Sequence, residues 1–126
     1  MRRMGIDYGS KRIGVALSNE DGTMAFPHAV IANDKDALQR IVALIEEEEV
    51  GEVVIGESLG RDGAPNEIQE RITDLVGDLT LHAGIPVHLE PEQYTTQQSL
   101  REQGRTAMTD ASAAALILNS YIDKHR

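Results

Sequence analysis

No cysteine occurs anywhere in the 126 residues, which excludes disulfides, thiolate nucleophiles and zinc–thiolate centres. Tryptophan is also missing and there is a single phenylalanine, so a core must be built from Val, Ile, Leu and Ala. No apolar run is long enough to cross a bilayer, because Asp, Glu, Lys or Arg interrupts every candidate. Met1-Arg2-Arg3 is basic, but a strand containing Asp7 follows where a signal peptide needs its apolar stretch. A membrane partner is therefore not expected, and the expected location is the cytoplasm. Positive charge is scarce as well: 12 Lys and Arg stand against 21 Asp and Glu, a formal net charge of −9. Neutralising phosphates with Lys and Arg supplies most non-specific affinity for nucleic acid. A chain this acidic needs a local basic patch or bound metal ions to hold such a partner.

What is present suits an ordinary soluble α/β chain. With 40% hydrophobic and 26% charged residues it can bury a core, and its length predicts one domain over 1–126. In residues 3–18, Met4, Ile6 and Tyr8 alternate with Gly5 and Asp7, and Ile13, Val15 and Leu17 alternate again. That period of two predicts a hairpin turning at Gly9-Ser10. Residues 24–32 predict a third strand, with Pro27 confining it to a sheet edge or bulge. A helix should follow, capped by Asn33 or Asp34, with Leu38, Ile41, Val42 and Ile45 on one face. The β-branched run Val53-Val54-Ile55 predicts a strand buried on both faces. A second helix is predicted from near Pro65 to a stop at Gly84, then a strand at 86–89 and a short helix at about 95–102. The last helix is Ala-rich, with Asp110 just before it. A hairpin meander followed by β-α units implies a mixed sheet with helices on its faces.

Asp7 is the informative residue, because an acid inside an apolar strand is costly to bury unless it is paired or bound to metal. Its carboxylate could instead bond the amides of the Gly9-Ser10 turn. The segment Gly5-Ile6-Asp7-Tyr8-Gly9-Ser10-Lys11-Arg12-Ile13-Gly14-Val15-Ala16 resembles the N-terminal signature of the YqgF/RuvX family. That family comprises Holliday-junction resolvases, also assigned as nucleases that process the 5′ end of pre-16S rRNA. Further similarity covers most of the chain. Val53–Gly56 with Leu59 and Asp62-Gly63 is similar to the family's VVGLPLNMDG stretch. Pro86–Leu89, Glu92 and Thr95-Thr96 are similar to PVHLVDERLTT, and Asp110 through Asp123 to the last helix, DxxAAxLILQxYLD.

The resemblance implies an RNase H-like (RuvC/actin-like) fold, with a mixed five-stranded sheet and helices on both faces. It also implies a carboxylate site for Mg²⁺ or Mn²⁺, with Asp7, Glu92 and Asp110 as catalytic metal ligands. Two-metal phosphodiester hydrolysis needs such carboxylates, and Mg²⁺ prefers oxygen ligands. Each residue also has a plainer reading: Glu92 as a solvated loop acid, Asp110 as a helix N-cap. Glu57 stands past the strand Val53–Gly56 where the family has an apolar residue; it is a candidate fourth ligand or an exposed loop acid. Lys11, Arg12, Arg61, Thr95 and Arg101 are the candidate nucleic-acid contacts, with Arg105 behind them. His28, His82, His88 and His125 lack ligand spacing and are expected to be structural or surface residues.

Several positions depart from the family pattern. Pro91 replaces Asp and Gln93 replaces Arg, which removes a phosphate clamp. Ser58 and Gly60 replace Pro and Asn, and the stretch from Thr96 to Asp110 is short and poor in Lys and Arg. The expected activity is a metal-dependent endonuclease on structured nucleic acid, either the 5′ end of pre-16S rRNA or branched DNA. The expected assembly is a monomer or a homodimer. Two other readings stay open. Asp7-x-Gly9 with Gly14 also resembles the phosphate loop of actin and sugar kinases, and the charge would suit a catalytically silent binding module.

Overall fold

The structure, a computed structural model, describes residues 1–57, 67–91 and 107–125. The elements run β1 (Arg2–Tyr8), β2 (Arg12–Ser18), β3 (Ala25–Ala32), α1 (Ala37–Glu47), β4 (Val50–Glu57), α2 (Glu67–Ala83), β5 (Val87–Pro91) and α3 (Ala107–Lys124). Five strands form one sheet in the order β3-β2-β1-β4-β5. The two hairpin pairings are antiparallel, whereas β4 lies parallel to both β1 and β5. This is the mixed sheet that a meander followed by crossovers must produce.

Alternation along the strands divides the buried residues between two faces. Met4, Ile6, Ile13, Val15, Leu17, Val53 and Ile55 point one way and meet Ala37, Ile41 and Ile45 of α1 and Ile72, Leu75 and Leu79 of α2. On the other face Val54 packs with Ile117, Leu118 and Ile122 of α3, and Ala16 with Ala114 and Ala115. Val53, Val54 and Ile55 are all fully buried, as a strand covered on both sides requires. β3 is an edge strand, and its register with β2 shifts where Ala16 meets Pro27. Gly84 ends α2 with φ +69°, a conformation that glycine takes cheaply.

Two expectations about helix ends are corrected. Neither Asn33 nor Asp34 caps α1; the cap position is Asp36, which makes no side-chain cap bond. Asp34 forms a local turn instead, its Oδ1 accepting the Asp36 amide at 2.9 Å and facing Arg40 at 3.1 Å. The amide bond, followed by Arg40, holds its carboxyl below the usual value despite some opposing desolvation. At the other end of the chain α3 begins at Ala107, so Asp110 lies inside its first turn rather than before it. An acid there still complements the helix dipole. The expected start of α2 near Pro65 and the short helix at about 95–102 fall outside the described residues.

Candidate active site under the last helix

Three glycines let α3 approach the sheet far more closely than ordinary side chains would. A Cβ on Gly5 would lie 2.7 Å from the Ala114 carbonyl oxygen, and one on Gly56 would strike Ile117 Cδ1 at 2.5 Å. A Cβ on Gly14 would overlap the backbone of Asp110 itself. These glycines sit on β1, β4 and β2, so the trough crosses the three central strands.

The trough brings two of the sequence-predicted acids together. Asp7 is two residues beyond Gly5 and shares its face by strand alternation. Its cross-strand partner is Gly14, the residue on which the Asp110 backbone rests. Asp7 is half-buried and Asp110 is 8% exposed. Arg12, also on this face, places its Nε 3.0 Å from Asp110 Oδ2. The contact is one of charge alone: Oδ2 is buried and accepts no hydrogen bond among the described residues. A buried carboxylate oxygen with no directed donor is costly, and a cation at that oxygen offsets the cost.

The remaining candidates are placed as follows. Lys11 is exposed in the β1–β2 turn. Glu57 ends β4, one residue past Gly56, so alternation turns it toward the α1/α2 face and away from Asp7. Glu92, Arg61, Thr95, Arg101 and Arg105 lie outside the described residues. No group of three or more acid or histidine ligands forms among the described residues. Of the sequence-predicted acids, Asp7 and Asp110 are the two that the described residues place on either side of Gly14.

Two residues matter here that sequence reasoning did not assign. Asn33 donates from Nδ2 to Gly9 O at 2.7 Å and from its backbone amide to Lys11 O at 2.9 Å. With Gly9 N donating to Arg12 O at 2.9 Å, these bonds hold the turn that carries Lys11 and leads into Arg12. An Asn just past a strand was the only available signal, and helix capping explained it equally well. Glu90 is 3% exposed on β5, on the α3 face, where the family stretch has Val. Lys124 Nζ donates to its two oxygens at 2.8 and 3.2 Å. Nothing near Glu90 in sequence announces a partner 34 residues away.

Of the four histidines, His28 and His82 are exposed and His88 joins a structural cluster. His88 Nε2 lies 3.1 Å from Glu52, which also pairs with Arg3, and the His88 ring stacks on Tyr121 at 5.3 Å. Burial, followed by the Glu52 charge, pushes the Tyr121 phenol up. On the opposite side of the sheet a polar cavity of about 220 Å³ is lined by Tyr8, Asn33, Asp34, Arg71 and Asp74 among others. The sheet separates it from the Asp110 trough.

A family model described as RuvX, Holliday junction resolvase, matches residues 1–124. The chain belongs to this family. A protein of Maridesulfovibrio salexigens is 31% identical, over 97% of this chain and 98% of its own. One of Mycolicibacterium smegmatis is 38% identical, over 99% and 82%. Both carry the name "Putative pre-16S rRNA nuclease". Among solved structures, Thermus thermophilus RuvC in complex with a Holliday junction superposes with TM-score 0.65 at 17% identity, over 99% of this chain and 96% of that one. Fowlpox virus resolvase with its junction DNA also gives 0.65, at 10% identity, over 99% of each chain. At such identities the likeness establishes the RNase H-like fold, and the RuvX chain shares it.

Proposed function

We propose that this RuvX protein is a divalent-metal-dependent endonuclease that hydrolyses phosphodiester bonds of structured nucleic acid, with the 5′ end of pre-16S rRNA as its substrate. The observation that supports this reading is that the Asp110 backbone rests on Gly14, the cross-strand partner of Asp7, with Asp110 Oδ2 buried and without a hydrogen bond among the described residues. The donor set fits Mg²⁺ or Mn²⁺, hard cations that take oxygen ligands and keep several waters. Asp7 and Asp110 would hold the ion, with Glu92 as a third ligand; Glu57 is the weaker candidate because of its strand register. The bound ion would supply an activated water and stabilise the charge that develops on the leaving oxygen.

The chain's own residues bind and orient. The trough holds the Asp110 backbone against β2, and strand pairing holds Asp7 opposite the same Gly14, so the backbone at both acids would need little movement to serve one ion. Lys11 and Arg12 offer positive charge at the same edge, and Arg61, Thr95 and Arg101 are further candidate contacts. With a net charge of −9, binding should be weak and its salt slope should report only a few phosphate contacts. Action on an rRNA precursor would place the protein in the cytoplasm. No helix among the described residues is long and apolar enough to cross a membrane.

A Holliday junction is the second substrate to test, since the family description names it. Symmetric resolution needs two active sites and hence a homodimer, whereas trimming an rRNA leader needs one. The kinase-like reading has less support: Thermus thermophilus ROK hexokinase superposes at TM-score 0.50 and 19% identity, but this chain spans only 39% of it. The test is incubation with 5′-extended 16S rRNA and with synthetic four-way junctions, with and without Mn²⁺. Cleavage that requires Mn²⁺ and is abolished in folded Asp7→Asn supports the reading. Cleavage surviving that substitution, or no cleavage of either substrate, overturns it.

A further inference from the structure

The α3 face of the sheet holds two buried acids, and their cations serve them differently. Lys124 donates to the two oxygens of Glu90, at 2.8 and 3.2 Å. That is the directed geometry of a fixed structural pair. Arg12 Nε stands 3.0 Å from Asp110 Oδ2, and that oxygen accepts no hydrogen bond among the described residues. A guanidinium built for a permanent carboxylate partner uses its planar fork in two parallel bonds, and this one does not. Both cations reach solvent, Arg12 at 40% and Lys124 at 51% exposure, so the directed bonds and not burial distinguish the pairs.

We propose that Arg12 is an exchangeable counter-cation: it neutralises Asp110 until a divalent ion takes Oδ2, and the released guanidinium then holds a phosphate of the substrate. The proposal rests on the metal-nuclease reading above and adds a role for Arg12 within it. The physical basis is competition. One buried oxygen cannot keep Arg12 in contact while a dication coordinates it, because two positive groups at one acceptor repel. The dication displaces the more loosely held and better-solvated group. Moved outward, the guanidinium stays on the edge that carries Asp7 and Asp110, where an incoming phosphate offers the bidentate partner that Asp110 does not. By linkage, substrate phosphate and metal should then strengthen each other's binding.

The measurement is calorimetric titration of Mn²⁺ alone into wild type, Arg12→Gln, Arg12→Lys and Asp110→Asn, at low salt. Removing the competing charge should tighten Mn²⁺ binding by about two- to five-fold in Arg12→Gln, the worth of a partly exposed ion pair. Arg12→Lys keeps the charge and should bind as wild type does. In cleavage assays Arg12→Gln should raise KM several-fold with little change in kcat. Equal or weaker Mn²⁺ binding by Arg12→Gln overturns the exchange, because a residue that merely positions Asp110 would weaken the site when removed. An unchanged KM overturns the phosphate role. Should Arg12→Gln not fold, Arg12→Met retains the packing of the stem and is read by the same criteria. A wild type that binds no Mn²⁺, or Asp110→Asn binding it as well as wild type, instead defeats the metal reading itself.

Discussion

The two faces of the sheet are built from opposite materials. Toward α1 and α2 the strands present Met4, Ile6, Ile13, Val15, Val53 and Ile55, large side chains that keep the helices at ordinary distance and bury most of the apolar surface. Toward α3 they present Gly5, Gly14, Ala16 and Gly56 around Val54, and the helix answers first with Ala111, Ala114 and Ala115 and only then with Ile117, Leu118 and Ile122. The first face is an aliphatic interior in which hydrophobic burial is the main stabilising term. The second face gives up side-chain volume for proximity, so helix backbone touches strand backbone and the charges of Asp7, Arg12, Asp110 and Glu90 are held at defined places. A fold can thus keep stability and chemistry on different sides of one sheet.

Substitutions on the two faces should separate these roles. The largest loss of stability is expected from the aliphatic side: Ile41→Ala, at a fully buried α1 position, should cost about 3–4 kcal/mol in denaturant unfolding. Its folded fraction should cleave as wild type does. Gly14→Ala is the opposite case. Its methyl group would push into the Asp110 backbone, costing about 3 kcal/mol by overpacking and shifting Asp110 relative to Asp7. Mn²⁺ affinity and cleavage should therefore fall even in the fraction that remains folded. If Gly14→Ala lost only stability, the claim that the glycine face positions the chemistry would fail.

Lys124→Met leaves Glu90 buried without its cation and should cost about 2 kcal/mol, discounted because Lys124 is 51% exposed. Adding Glu90→Val should restore most of that stability, and a double-mutant cycle measures the coupling. The smallest effect has the opposite sign. A Cβ on Gly77, within α2, would meet nothing within 4 Å, so Gly77→Ala should raise stability by about 0.5–1 kcal/mol. Thermal unfolding of the Gly14 and Gly77 variants side by side distinguishes a glycine needed for close approach from one that is merely tolerated.

Much of the architecture was legible from local pattern. The alternation of Met4, Ile6 and Tyr8 with Gly5 and Asp7 named the strand, its two faces and the acid on the face that α3 covers. Val53–Ile55 announced a strand covered on both sides, Pro27 an edge, and Gly84 a helix end. The resemblance to the family's motifs implied Asp7, Glu92 and Asp110 as one site, and the fold seats the Asp110 backbone on Gly14, the cross-strand partner of Asp7. Helix ends were less legible, because Asn33, Asp34 and Asp110 are all good caps by residue type, and type alone cannot say which backbone amide lies within reach.

Ion-pair choice was not legible at all. Arg12 meets Asp110 across 98 positions, and Lys124 meets Glu90 across 34, because α3 lies diagonally over β2, β1, β4 and β5. Glu57 was a candidate fourth ligand or an exposed loop acid past its strand; it instead ends β4, where one step of strand register beyond Gly56 turns it to the face opposite Asp7. Side-chain periodicity is a property of neighbouring residues and can be read from them. Which charges meet depends on strand order and on how closely a helix can lie, and in this chain three glycines on three different strands settle the second.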